Sequence, residues 1–176
     1  LTGTAGSPEP GAAGPDAGLP VEAVIRTLEE YQQATLDLYR LHEGDPEGCV
    51  KALVRLHLVW TEEDPDRARM VARHRNAVMA GPGRERLMNA NAAYFGRTRE
   101  WLDRESGAGR MPRLSFSVLH ALVFAPGQEL ARHWLGDRLR KPPTEYADRM
   151  GRAAWAGILA AGDPEPPGNP PASPTR

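Results

Sequence analysis

Five histidines, His42, His57, His74, His120 and His133, are the side chains here with the widest chemical reach, as metal ligands or general bases. Their spacing argues against both roles. No H-E-x-x-H, C-x-x-C or G-x-S-x-G occurs, and the nearest metal-like pair is Glu129 and His133, four residues apart, where di-iron bundles use Glu-x-x-His. No Gly-rich phosphate loop follows a strand. We expect no enzyme, no metal and no cofactor. "RARMVARHR" brings Arg67, Arg69, Arg73 and Arg75 close together, as a phosphate site would. A solvated helix face explains them better, with Arg67 and Arg69 pairing with Asp64 and Asp66.

Other polar residues stand where apolar ones belong. On a helical wheel, His57 falls inside the stripe of Val50, Leu53, Val54, Leu58 and Trp60, whose arc spans roughly 200°. Asn91 and Thr98 lie on the middle line of a stripe holding Leu87, Tyr94, Phe95 and Trp101. Gln32 and Thr35 interrupt the stripe of Leu28, Tyr31 and Tyr39, and His120 lies between Phe116 and Phe124. An unpartnered buried polar group costs about 1 to 3 kcal/mol. Either these groups satisfy one another locally, or they line a mostly apolar cavity of the kind that binds small molecules. The pattern on several helices keeps the cavity in play.

The elements that must position them are all helical. Period-2 alternation is absent, so the expected fold class is all-α, a bundle of about six helices. A first helix runs from Pro20 to His42 and a second starts at Pro46. A third follows Asp64 as N-cap and Pro65 in its first turn, and "AGPG" separates it from a long helix over 84–105. Ser115 caps a further helix to about Arg140, with a kink at Pro126, and a last helix spans 144–160. Residues 1–18 and 163–176, rich in Pro, Gly and Ala, read as flexible tails around one domain, 19–162. The wide arc of the second helix makes it central. Ala147, Gly151, Ala154 and Ile158 form a small-residue seam that admits a close helix, from this chain's core or from a second copy.

The formal charge of -1 excludes the basic balance of a naked nucleic-acid binder. A lone cysteine, Cys49, excludes an internal disulfide, and neither a signal peptide nor a membrane-length apolar run is seen. The expectation is a cytoplasmic protein without membrane contact.

The stretches "ALVRLHLVWTEEDPDRARMV", "NANAAYFGRTREWLDRESGAGRMPRLSFSVLHALVFAPGQELARHWLGDRL" and "PTEYADRMGRAAWAGIL" resemble the C-terminal regulatory domain of TetR-like transcriptional regulators, over residues 20 to 160. Order and spacing carry the resemblance: a central helix ending in "DPDRAR", a long helix ending in "WLDRESGAG", a helix with a mid-span proline, and a closing helix with a tryptophan. It implies a homodimeric ligand sensor, expected as a repressor, whose small apolar or aromatic effector controls DNA binding. It also implies a dimer face of Leu130, Trp134, Ala147, Met150, Gly151, Ala154 and Ile158. The implied pocket is His57, Trp60, Met70, His74, Asn91, Tyr94, Phe95, Thr98, His120 and Phe124. The helix-turn-helix that such regulators carry before this domain is not in the sequence, so operator DNA is expected as a partner only through a segment this chain lacks. A helical metal-dependent enzyme and a protein-interaction module are the competing readings.

Overall fold

Helix starts follow the local chemistry. In the computed structural model, which describes residues 20–162, Asp45 Oδ1 accepts the Gly48 N–H at 2.9 Å and opens α2 (Pro46–Glu63). Asp64 Oδ1 accepts the Arg67 N–H at 3.0 Å and opens α3 (Pro65–Ala80), and Ser115 Oγ accepts from Val118 to open α5 (Phe116–Val123). Each side chain satisfies a backbone donor that the first helical turn leaves free. Before them comes α1 (Val21–Leu41), and α4 (Arg84–Gly107) lies between α3 and α5. Then follow α6 (Ala125–Leu135), a 3-10 turn at Pro143–Tyr146, and α7 (Ala147–Ala160). The fold is an all-α bundle, and the flexible-tail readings of 1–18 and 163–176 lie outside the described residues.

Helix ends have their own causes. Gly109, at φ 70°, terminates α4, with the Arg110 N–H reaching back to the Glu105 carbonyl at 3.0 Å. Asp137, at φ 58°, does the same for α6, and the Arg138 N–H reaches the His133 carbonyl. The helix expected to continue to Arg140 therefore stops at Leu135. Its expected kink is a break that divides it into α5 and α6, so seven α-helices stand among the described residues where about six were expected, or six if the halves count as one. Phe124 N–H bonds the His120 carbonyl and Gln128 N–H bonds the Phe124 carbonyl, but no helical bond ties residues 125 to 127 to the turn before. Pro126 has no N–H to give and crowds the preceding turn, which is the cause.

α2 is central, touching α1, α3, α5, α6 and α7, and its contact with α7 is the most extensive in the molecule. The main core joins Leu53, Leu58, Trp101, Leu119, Val123 and Ile158 with their neighbours. A second, smaller core holds Val24, Ile25, Val78 and Leu87, between α1, α3 and α4. No helix among the described residues is long and apolar enough to cross a membrane.

Candidate functional site

His57 is 9 % exposed, projecting from the central helix into an apolar surround. Its Nδ1 shares a hydrogen bond of 3.2 Å with the Tyr31 hydroxyl, and its Nε2, fully covered, has no partner. A Cβ on Gly127 would lie 3.2 Å from the His57 Cδ2, so the start of α6 comes close to the imidazole only because residue 127 has no side chain. Burial, and then the neighbouring His120, push the His57 imidazole down to about 4. It is therefore neutral near pH 7. Burial likewise drives the Tyr31 hydroxyl up, so it stays protonated.

Aromatic rings surround this group. Tyr31 meets Trp60 edge-on at 5.4 Å and His57 at 5.9 Å. On the other side Tyr94 meets Phe95 at 5.5 Å, Phe95 meets Phe116 at 4.7 Å, Phe116 meets His120 at 5.8 Å, and His120 meets Phe124 at 5.1 Å. The arcs approach at the α5–α6 break, where Phe124 ends one of them and Gly127, three residues on, lies so near His57 that a Cβ there would be 3.2 Å from its Cδ2. Tilted ring pairs at these separations are worth about 0.5 to 1.5 kcal/mol each beyond their burial. Trp60, Phe95, Phe116 and His120 are half-buried, so the ring runs from the protein surface to its interior.

The expected pocket thus divides. His57, Trp60, Tyr94, Phe95, His120 and Phe124 come together. Asn91 instead accepts a 2.8 Å hydrogen bond from the Gln32 amide, the local satisfaction that was the plainer of the two readings. Thr98 donates to the Tyr94 carbonyl at 2.9 Å and accepts from the Tyr39 hydroxyl at 3.4 Å, and Thr35 donates to the Tyr31 carbonyl at 3.1 Å. Both hydroxyls are thus engaged, Thr35 within α1 and Thr98 within α4 and across to α1, so neither offers a free group. Met70 packs on the smaller core, and His74 is half-buried one turn further along α3. Phe116 and Tyr31, absent from the expected set, belong to the ring. Their placement within apolar stripes was visible, but not that the two stripes converge.

Three surface clefts stand out among the described residues, and none is lined by any residue of the expected pocket. Two lie along the α3–α4 turn near Pro82 and Glu85, and the third beside Lys51 and Asp148. None of them opens onto the aromatic ring.

The expected dimer face is mostly spent within the chain. Ala147, Gly151, Ala154 and Ile158 are buried, and Ala147, Ala154 and Ile158 belong to the main core. A Cβ on Gly151 would lie 3.2 Å from the Lys51 backbone of α2. The small-residue seam admits a close helix, as its composition implies, but that helix is this chain's own α2. Leu130 and Met150 also pack against the main core, and Trp134 is half-buried on α6.

The polar clusters outside the ring have structural partners. Arg67 pairs with Glu30 and donates to the Thr27 hydroxyl at 3.0 Å, so only its backbone N–H meets Asp64. Arg69 pairs with Asp66 as expected and also reaches the Leu135 carbonyl, capping the end of α6. Glu129 and His133 are 2.9 Å apart on the surface, beside Arg132. Among the described residues no three His, Cys, Asp or Glu side chains are grouped to hold a metal ion. Glu105, by contrast, carries no mark in "WLDRESG" that separates it from a solvent-facing acid. It is fully buried, and although burial pushes its carboxyl up, Arg110 at 2.7 Å and Arg104 at 3.3 Å hold it below the usual range. No protein-family model matches this chain, and no curated protein matches it either.

Proposed function

We propose that the chain is a small-molecule sensing domain of a TetR-like regulator, binding an apolar or aromatic effector within the aromatic ring. The carrying observation is the His57 Nε2, a covered polar atom without a partner inside a surround of aromatic faces. Such an atom leaves a hydrogen bond unmade, and a ligand that supplies it gains specificity from a group already desolvated. The break between α5 and α6 supplies the means of admission. With no helical bonds across residues 125 to 127, the start of α6 moves away from His57 without unwinding either helix. The domain then binds rather than transforms its ligand. Movement of α6 carries the signal to a DNA-binding unit on the regulator, and self-association uses the outward faces of α5 and α7, where Val118 and Leu159 are exposed.

A thermal-shift screen of apolar and aromatic metabolites tests the reading. A ligand present at a hundred times its Kd stabilises the fold by about 2.7 kcal/mol, several degrees for a domain of this size. His57→Phe removes the polar handle and is expected to abolish the shift. A hit that survives this substitution unchanged binds elsewhere, and the reading fails.

A further inference from the structure

Which hydrogen-bonding group the sensing site would take depends on where the single ring proton of His57 sits, and its assignment to a ligand rests on the site proposed above. A neutral imidazole has one N–H and one bare nitrogen, so its two nitrogens play opposite parts. Burial keeps the His57 ring neutral near pH 7 and the Tyr31 hydroxyl protonated. Two arrangements then remain across the 3.2 Å contact between that hydroxyl and Nδ1.

With the proton on Nδ1, the ring donates to the Tyr31 oxygen. The hydroxyl hydrogen is then left over, since Nδ1 is its only partner among the described residues, and the bare Nε2 is left over as well. With Nδ1 bare, it accepts the hydroxyl hydrogen, and the Nε2–H alone goes unmet. Every unmet polar group that is buried costs stability, so the second arrangement is the more stable. His57 thus presents a donor.

The place of that donor matters. Nε2 is fully covered, and the ring carbon bonded to it, Cδ2, lies beside Gly127, where a Cβ would come within 3.2 Å. This is the start of α6, the segment without helical bonds to the turn before. Moving it outward uncovers the Nε2 edge of the imidazole while Tyr31 still holds the opposite edge.

We infer that the ligand is an uncharged hydrogen-bond acceptor, a ketone, ester, lactone or quinone on an apolar or aromatic body, whose carbonyl oxygen accepts the His57 Nε2–H. A ligand able only to donate would force the proton onto Nδ1 and leave the Tyr31 hydroxyl without an acceptor. A carboxylate also accepts, but its charge would enter a mostly apolar surround at a cost that a carbonyl avoids.

Two measurements test this. Long-range proton–nitrogen NMR spectra of the isotope-labelled chain at pH 7.5 report which ring nitrogen is protonated, the His57 signals being those that Tyr31→Phe moves. A bare Nδ1 and a protonated Nε2 are expected. The second measurement uses 2-acetylnaphthalene and 2-isopropenylnaphthalene, which share one shape and differ in a C=O against a C=CH2. Both are titrated into the full chain, with quenching of tryptophan fluorescence as the signal. The ketone is expected to bind about tenfold tighter than the alkene, and His57→Phe to bring the two level. A protonated Nδ1, a ketone that binds no better than the alkene, or a preference that survives His57→Phe overturns the acceptor class while the sensing site stands. Failure of both probes to bind the unsubstituted chain overturns the site itself, and the assignment with it.

Discussion

A neutral imidazole inside an apolar surround makes folding sensitive to mild acid. The unfolded His57 takes up a proton near pH 6.5, whereas burial and His120 hold the folded group at about 4. Between those values the unfolded chain binds the extra proton, so the stability that His57 contributes is whole above pH 6.5 and is lost as pH falls to about 4. The loss is on the order of 3 kcal/mol. Urea unfolding at pH 7.5 and 4.5 should show it, and His57→Phe should flatten the dependence. An unchanged slope in that variant would remove His57 as its source. Glu105 poses a different case. Glu105→Gln deletes a buried charge but leaves Arg104 and Arg110 half-exposed to water, with side chains 46 % and 38 % accessible. The expected cost is therefore about 1 to 3 kcal/mol, at the lower end for broken buried pairs, with an unchanged far-ultraviolet spectrum. His57 could be singled out from the wheel because it interrupts an apolar stripe. Glu105 sits among "DRES", where an acid reads as a solvent-facing residue, and the return of Arg110 after the Gly109 turn gives its carboxylate a partner.

Helix boundaries were largely legible, because they depend on neighbours in sequence. Asp45, Asp64 and Ser115 reach backbone donors three residues on, and Pro46 and Pro65 suit first turns. The end of α6 is not legible in the same way, since its left-handed residue is Asp137, not the adjacent Gly136. The composition of the seam on α7 specifies close packing but not the partner. That partner, α2, makes Gly151 a test of the element pair. Gly151→Leu places a branched side chain where even a Cβ comes within 3.2 Å of Lys51, and should cost about 1 to 3 kcal/mol by forcing the helices apart. Chemical denaturation measures this directly. No loss would mean that α7 packs on α2 less closely than the seam suggests.

At the scale of the molecule, with α2 covering one face of α7, the remaining outward surface is where a second copy has room. Leu159 is 56 % exposed on α7 and Val118 39 % exposed on α5, while Leu122 of α5 packs where a Gly157 Cβ would sit. A stable dimer buries about 1,200 to 2,000 Å² in total, more than one helix face supplies, so both helices would have to take part. Light scattering at micromolar concentration is expected to give twice the chain mass, and Leu159→Glu half of that, with thermal stability of the fold retained. A monomeric parent chain would discard self-association and leave the ligand site untouched.

The sequence alone determined the all-helical class, the position of most helix starts and the central place of α2, because periodicity and capping act over a few residues and survive in any tertiary setting. It also marked which polar side chains face inward. Whether each would be satisfied there was decided only by packing. Asn91 meets Gln32 and Thr98 meets Tyr39 across helices, whereas the His57 Nε2 meets nothing. Likewise, a row of small residues specifies a close approach without specifying the approaching helix, and the fold gave that place to α2. Hydrogen bonds and close contacts between distant segments depend on relative helix placement, a property of the whole chain that no local pattern encodes.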